Sequence, residues 1–169
     1  MMTRPVDTTA SINRRRFLGA GAVLVLASLL PSALRAETPI VSAPDAAARN
    51  TAQTLIILDI RSREEWAETG VAQGAWPVSM HEADFSQRLQ AILNSYPPDR
   101  IALICATGGR SAYITKILEK NGIAGVADLS EGMLGNRRGP GWIKRGLPVV
   151  EVDAALADYA SALQAQPDG

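Results

Sequence analysis

The sequence predicts an α/β fold with a central parallel sheet. Three short runs, at residues 55–58, 101–104 and 126–129, support this prediction, and the first two are continuously apolar rather than alternating. Continuous apolar runs are typical of strands that are buried on both faces. Segments with helical spacing of apolar residues separate the three runs, and strands that alternate with helices favour a parallel sheet.

Length, charge and cysteine content narrow the possible functions. The 169 residues are enough for one domain with a modest core, and their formal charges cancel. The first 36 residues hold five arginines and one aspartate, which leaves 12 basic and 16 acidic residues in the body. A mildly acidic body argues against nucleic-acid binding. The single cysteine excludes an internal disulfide and a multi-cysteine metal site. We expect neither a metal nor a cofactor.

Residues 1–36 are predicted to be an export signal peptide. A basic stretch from Arg14 to Arg16, followed by Phe17-Leu18, precedes an apolar segment at residues 19–30. That segment is shorter than the roughly 20 residues that a membrane-spanning helix needs, and such an arrangement is typical of a secretory signal. The paired arginines resemble the twin-arginine export motif of bacteria. We therefore expect the twin-arginine machinery as a partner and a periplasmic location after cleavage behind Ala36, the alternative being an uncleaved membrane anchor.

The first half of the body has recognisable element boundaries. Residues 37–54 are interpreted as a linker and the start of the domain, with a weak helix at 43–50. The strand at 55–58 leads to Asp59, and Ser62 with Glu65 has capping-box spacing for a helix that ends before Gly70. A further strand is predicted at 75–80.

The second half continues the alternation of helices and strands. Helices are predicted at residues 84–93 and 111–121, around the strand at 101–104, and a long glycine-rich loop is predicted at 131–141. Residues 142–149 are expected to close the core. The segment 151–169 is predicted as a C-terminal helix, whose apolar stripe would pack on the same domain or, alternatively, form a dimer; the stripe consists of Val152, Leu156, Tyr159 and Leu163.

The stretch from Cys105 to Ser111 is the candidate functional site. Its order of strand, cysteine loop and helix places Cys105 at the carboxyl edge of the sheet, where ligands of α/β proteins bind. Gly108 and Gly109 allow the loop to curl with its N–H groups inward, above a helix N-terminus that attracts anions and favours the thiolate. Arg110 adds a positive charge, whereas an inert core cysteine would need no such surroundings.

Several motifs in order along the chain resemble those of the rhodanese-like domain family. The first half resembles it in Leu58-Asp59-Ile60-Arg61, Glu64-Glu65-Trp66 and Gly74-Ala75. The loop from Cys105 to Ser111 matches the family's active-site form Cys-x-x-Gly-x-Arg-Ser, and the closing motif is matched by Leu129, Gly132, Trp142 and Gly146-Leu-Pro-Val149. The resemblance spans residues 40–150 and implies a three-layer domain with a central parallel sheet flanked by helices.

The resemblance implies sulfurtransferase chemistry through a Cys105 persulfide. The partners would be a small sulfur-containing anion such as thiosulfate, as donor, and a thiol or cyanide, as acceptor. Cys105 and Arg110 would be catalytic, and the loop amides would bind the substrate and the persulfide; the loop residues are Ala106, Thr107, Gly108, Gly109 and Ser111. Ser111 is also expected to cap the following helix. Asp59 and Arg61 would support the site through an ion pair.

Departures from the family pattern define the alternatives. The family's histidine is replaced by Val71, and Ala106 stands where some thiosulfate-using members carry a basic residue, which implies modest affinity for thiosulfate. Only four residues separate Cys105 from Arg110, one fewer than in related phosphatases, so a phosphatase or arsenate reductase is the weaker enzymatic interpretation. A non-enzymatic persulfide carrier or redox-partner module is the other alternative. Arg137 and Arg138 would either lean over the pocket or lie on a solvated loop.

Three further groups of residues have simple structural explanations. His81 is the only histidine and is expected at the surface. Glu64 and Glu65 are interpreted as a solvated helix face rather than as general acid and base. The three tryptophans are expected in the core rather than stacked on a cofactor; they are Trp66, Trp76 and Trp142.

Overall fold

The computed structural model describes residues 38–165. The predicted signal peptide and the end of the C-terminal segment, residues 166–169, lie outside the described residues. The helices are α1 Ala43–Thr51, α2 Arg63–Thr69, α3 Phe85–Ser95, α4 Gly109–Lys120, α5 Gly141–Lys144 and α6 Val152–Gln164, with a 3-10 turn at Pro98–Arg100. The strands are β1 Ile56–Asp59, β2 Val71–Ala72, β3 Trp76–Pro77, β4 Ile101–Ile104, β5 Ala127–Asp128 and β6 Val149–Val150.

The central sheet is parallel throughout, as predicted. Its strand order is β3-β1-β4-β5, with β1 and β4 at the centre, and all residues of these two strands are buried. Ile40 adds a parallel bridge to Asp128 at the β5 edge. The antiparallel pair of β2 and β6 was not predicted, because each strand has only two residues and therefore shows no periodicity.

The sheet separates two apolar clusters, which gives the predicted three layers. One cluster joins α1, α2 and α5 to the sheet through Ala46, Trp66 and Trp142. The other joins α3 and α4 to the opposite face through Leu89, Ile92 and Ile114. Burial of apolar area at about 25 cal/mol per Å² is the main favourable term that holds these layers together. Trp66 and Trp142 lie in the core as predicted, whereas Trp76 is half-buried against the rings of Tyr96 and Tyr159.

The segment after β5 is fixed by a buried carboxylate that the sequence analysis missed. Glu131 accepts hydrogen bonds from the backbone N–H groups of Ala43 (2.8 Å) and Gly141 (3.0 Å), and its Oε2 lies 2.8 Å from Nε of Arg145. Burial acts to raise the pKa of Glu131, but these hydrogen bonds together lower it below the usual range. One side chain thus holds the start of α1, the end of the long loop and α5 together.

Two helix predictions need correction. The α4 helix begins at Gly109, because Gly108 takes a left-handed conformation and acts as the N-cap, so Ser111 lies inside the first turn and does not cap the helix. On α6, Leu163 is 42% exposed and Ala155 is buried with Tyr159. The buried face of α6 therefore differs from the predicted stripe. Tyr159 sets this face, because it packs on the ring of Trp76 with ring centroids 5.3 Å apart. Among residues 38–165, no helix is both long and apolar enough to span a bilayer.

Candidate active site

Cys105 lies directly after β4, at the carboxyl edge of the sheet, as predicted. Its side chain is buried, and its carbonyl oxygen accepts a hydrogen bond from the N–H of Met133 at 2.9 Å. The loop above it is accessible, because Thr107 and Gly109 are exposed and Ala106 is half-buried. A ligand would therefore approach the sulfur past these loop residues.

The backbone N–H of Gly108 donates to Sγ of Cys105 at 3.1 Å. This geometry requires glycine: Gly108 has a φ of 82°, and a Cβ atom there would lie 1.9 Å from the carbonyl oxygen of Ser130. The first amides of α4 follow, and amides in the first turn of a helix have no carbonyl partner within the helix. The curled loop and the helix N-terminus together form a cradle that favours negative charge on the sulfur.

Ser111 is the second polar neighbour of the thiol. Its Oγ lies 3.5 Å from Sγ of Cys105 and donates to the carbonyl oxygen of Gly108 at 3.2 Å. The residue is fully buried, so the hydroxyl has a fixed set of partners. Since a hydroxyl group can redirect its single proton, Ser111 can donate to an anion on Cys105.

Arg110 makes a pair that the sequence analysis did not anticipate. Its Nη1 donates to Oε2 of Glu65 at 2.7 Å and its Nη2 donates to Oε1 at 2.5 Å, so the pair is bidentate. The interpretation of Glu65 as part of a solvated face is therefore wrong, because its partner comes from 45 residues along the chain, whereas Glu64 is exposed as expected. Glu65 also accepts from the N–H of Ser62 at 3.0 Å, which completes the predicted capping box of α2.

The charges of this pair depend on each other. The hydrogen bonds from Arg110 lower the pKa of Glu65 to about 2, and the same bonds raise the pKa of Arg110, with a smaller contribution from nearby Cys105. Nη1 of Arg110 also lies 3.1 Å from Nε2 of His81. Because a guanidinium only donates, Nε2 of His81 is the acceptor of this bond. His81 is exposed as predicted, but it belongs to the rim of the site.

The predicted ion pair between Asp59 and Arg61 is present and fully buried. Nη2 of Arg61 lies 2.6 Å from Oδ2 of Asp59, and its remaining donors reach Oγ1 of Thr69 (2.7 Å) and the carbonyl oxygen of Gly70 (2.8 Å). The pair thus fixes the end of α2, the helix that carries Glu65. Neither residue has a described contact with Cys105, so the pair supports the site through α2.

Asn136 is a functional candidate that the sequence analysis missed. Its Nδ2 donates to the carbonyl oxygens of Thr107 (2.6 Å) and Ser130 (2.7 Å), and its Oδ1 accepts from the N–H of Arg138 at 2.6 Å. The long loop is therefore attached to the cysteine loop through a side-chain amide. Arg138 points to Asp128, with Nη1 3.7 Å from Oδ2, and Arg137 is exposed.

Asp128 is a buried carboxylate behind Ser111. Its side chain is 4% exposed, and its Oδ1 has no hydrogen-bond partner. Burial raises the pKa of Asp128, while Ser111 and Arg138 act in the opposite direction.

Within residues 38–165, no group of three or more histidine, cysteine or acidic side chains could hold a metal ion.

Comparison with known proteins identifies the family. The model of the rhodanese-like domain matches residues 42–136, which is more than half of the chain. The chain belongs to the rhodanese-like domain family. The solved structure of the rhodanese-like domain of the Anabaena protein Alr3790 is similar, with a TM-score of 0.52, 20% identity, and coverage of 78% of this chain and 88% of that one. A crystal structure of Alr3790 gives a TM-score of 0.55 with 20% identity, over 76% of this chain and 94% of that one.

A protein of Rickettsia rickettsii is also similar in sequence. It is 26% identical over 101 residues, which are 54% of this chain and 80% of that protein, and it is described only as an uncharacterized homolog. Membership of the rhodanese-like family supports a sulfurtransferase-type or persulfide-related role for this chain. The predicted family and fold are thereby confirmed, and the match ends at residue 136, so the boundaries 40–150 and 151–169 stay predictions.

Proposed function

We propose that this chain is an exported single-domain sulfurtransferase that moves sulfane sulfur from a donor such as thiosulfate to a thiol or cyanide acceptor. The observation that carries the proposal is the hydrogen bond from the Gly108 amide to Sγ of Cys105 at 3.1 Å, at the N-terminus of α4. A cysteine sulfur that already accepts from an amide of this cradle is suited to carry negative charge.

In the first half-reaction the Cys105 thiolate attacks the outer sulfur of the donor. A bond forms between Sγ and that sulfur, the donor's S–S bond breaks, and its electron pair leaves with sulfite when thiosulfate is the donor. The new persulfide carries the negative charge on its terminal sulfur. The loop amides and the hydroxyl of Ser111, which lies 3.5 Å from Sγ, would stabilise that charge by donating hydrogen bonds.

In the second half-reaction an acceptor nucleophile attacks the terminal sulfur and regenerates the Cys105 thiolate. Cyanide would give thiocyanate, and a thiol would give a new persulfide. Splitting the transfer into two steps is covalent catalysis, and it predicts ping-pong kinetics. Arg110 lies near Cys105, and its guanidinium is held there by the bidentate pair with Glu65.

The test measures thiocyanate formation from thiosulfate and cyanide together with the intact mass of the protein. We expect turnover in the parent, a gain of about 32 Da for one sulfur atom on Cys105, and neither signal in Cys105→Ser. A gain of sulfur without repeated turnover would favour the alternative, a persulfide carrier. Absence of any adduct with several donors would overturn both.

Export is proposed from the arginine-rich segment at residues 14–18 and the apolar segment that follows it. We expect the protein in the periplasmic fraction of a bacterial host, with a mass that corresponds to cleavage after Ala36. Replacing Arg14 and Arg15 by lysine should retain the protein in the cytoplasm. A periplasmic yield that is unchanged in this double variant would contradict the twin-arginine route.

A further inference from the structure

The helices α3 and α4 pack on the same face of the sheet, and a groove lies between them. The groove has a volume of about 590 Å³, and each of its lining side chains is apolar or uncharged. Leu89, Ile114 and Leu118 line it and are buried, whereas Ile117 lines it and is 37% exposed. None of the lining residues belongs to the cysteine loop, so the groove is a separate feature of the surface.

The outer face of α4 beside the groove combines apolar and basic side chains. Tyr113 is 61% exposed, and Ile117 lies one turn further along the same side of the helix. Lys116 and Lys120 are also exposed there, and among residues 38–165 neither lysine forms an ion pair. The groove together with these four side chains of α4 is called the α3–α4 face below.

This face is positively charged, although the body of the chain is acidic. The α3 helix contains no acidic residue, and Glu119, the one acidic residue of α4, accepts a hydrogen bond from Oγ1 of Thr38 at 3.2 Å. The two arginines of these helices are each bound by a glutamate from outside them. Lys116 and Lys120 therefore supply the surplus charge. A positive rim beside an apolar groove favours a partner with acidic groups beside an apolar surface.

The shape of the groove favours a helix as its occupant. A channel between two helices fits a convex, ridged partner, and a helix laid into an apolar groove is a recurring mode of peptide recognition. A lipid surface is flat and would not reach Leu89 and Ile114, which are buried. The α4 helix has 12 residues and spans about 18 Å, so a partner helix of about 15 residues would cover the groove.

We propose that the α3–α4 face is a docking site for a partner protein that presents an amphipathic helix with acidic residues beside its apolar stripe. The stripe would fill the groove and contact Tyr113 and Ile117, while the acidic residues would face the two lysines. The docked helix would lie close to the cysteine loop, because Ile114 follows Arg110 by one turn of α4. This inference does not depend on whether Cys105 transfers sulfur.

The experiment measures the binding of three synthetic peptides of about 15 residues to the full-length chain by fluorescence anisotropy. The first peptide places leucine at helical spacing among glutamates. The second replaces the leucines by glutamine, and the third replaces the glutamates by lysine. Ile117→Gln and Lys120→Gln alter the α3–α4 face. Leu163→Gln and Lys144→Gln make the same substitutions at exposed positions of α6 and α5 and serve as controls.

We expect the parent to bind the acidic amphipathic peptide about tenfold more tightly than either of the other two. Ile117→Gln should weaken this binding about fivefold, because it removes an apolar contact at the groove. Lys120→Gln should weaken it about threefold at low salt and less at high salt, since a charge at the rim acts through long-range attraction. Each control variant should change it less than about 1.5-fold.

Two results with the peptides would overturn the inference. Equal binding of all three peptides by the parent would remove the requirement for a partner that is both acidic and apolar. Equal weakening by Ile117→Gln and Leu163→Gln, in proteins that are folded by circular dichroism, would show that the groove is not the point of contact.

Two other occupants are tested in the same proteins. A dimer of the parent that dissociates in Ile117→Gln, measured by sedimentation velocity, would assign the face to a second copy of this chain. Binding of phosphatidylserine vesicles that is lost in Ile117→Gln, with no binding of the acidic peptide, would assign it to a membrane surface. Either outcome would replace the proposed partner.

Discussion

The side-chain amide of Asn136 donates to the carbonyl oxygen of Thr107 at 2.6 Å, across 29 residues of sequence. The same nitrogen reaches the carbonyl oxygen of Ser130 at 2.7 Å, so one side chain joins the cysteine loop to the segment after β5. A loop whose amides must hold a charged sulfur in place has to keep its shape through the reaction. Asn136 thus helps to fix this loop, together with the backbone bonds from Met133 and Leu134 to the carbonyl oxygens of Cys105 and Ala106.

Replacing Asn136 by alanine should therefore slow sulfur loading of Cys105 by about tenfold, since a displaced loop loses preorganised donors. The free energy of unfolding should fall by about 1–2 kcal/mol, because two loop carbonyls lose a donor. Loading rates by mass spectrometry and urea unfolding at pH 7 measure the two effects. Arg137→Ala, on the exposed neighbouring position, should change stability by less than about 0.5 kcal/mol. An Asn136→Ala protein with parental loading would refute the role.

Gly108 and Gly109 provide a matched pair of substitutions. Alanine at Gly108 would place Cβ 1.9 Å from the carbonyl oxygen of Ser130 and would strain a φ of 82°, whereas a Cβ on Gly109 meets no atom within 4 Å. We expect Gly108→Ala to cost about 2–4 kcal/mol and most of the sulfur loading. Gly109→Ala should be neutral or slightly stabilising, since alanine favours the helix by about 1 kcal/mol. Equal thermal unfolding of the two variants would contradict this account.

Local signals in the sequence predicted much of this molecule. The two central strands are fully buried runs, and the capping box at Ser62 depends on residues three apart, so both can be identified without tertiary information. The position of Cys105 follows equally from the strand that precedes it. The family motifs then added the expected chemistry to the loop.

Interactions between distant segments could not be predicted in this way. Glu65 carries no signal that its partner is Arg110, 45 residues away, and a capping residue is satisfied without one. Asn136 lies in a glycine-rich segment where an asparagine is ordinary turn chemistry. The exposed Leu163 shows the same limit, because the partner of α6 decides which residues of an apolar stripe are buried.

The buried pair of Asp59 and Arg61 should contribute more to the free energy of unfolding than an exposed ion pair at the start of α2. Arg61→Ala leaves the carboxylate of Asp59 buried and without its partner, so we expect a loss of about 3–5 kcal/mol in the free energy of unfolding. Arg63→Ala breaks a pair with Glu82 in which the arginine is 59% exposed, and should cost less than about 1 kcal/mol. Urea unfolding followed by tryptophan fluorescence would separate the two; losses of similar size would show that burial does not control the effect.

Asp128→Asn should stabilise the protein at neutral pH. Burial raises the pKa of this carboxyl above its ordinary value of 3.8, so the folded state binds the proton more tightly than the unfolded chain does. The ionised carboxylate therefore destabilises the fold above its folded-state pKa, and this penalty disappears as the pH falls below the unfolded value. We expect a gain of about 1 kcal/mol at pH 7 that is absent near pH 3.5.

Urea unfolding of both proteins at the two pH values measures this difference. The ion pair with Arg138 that the substitution breaks is long, at 3.7 Å, and its arginine is 59% exposed, so its loss should offset little of the gain. An Asp128→Asn protein that is less stable than the parent at pH 7 would show that the carboxylate is satisfied in the fold.

Glu65 performs two tasks with one carboxylate, since it completes the start of α2 and binds Arg110 beside Cys105. Attempts to broaden the range of donors by changing this residue would therefore disturb helix nucleation at the same time. Directed evolution toward more anionic substrates should accordingly favour new cations elsewhere on the rim before it removes Glu65. In this chain the charge beside Cys105 and the start of the neighbouring helix therefore depend on the same side chain and cannot be changed independently at this position.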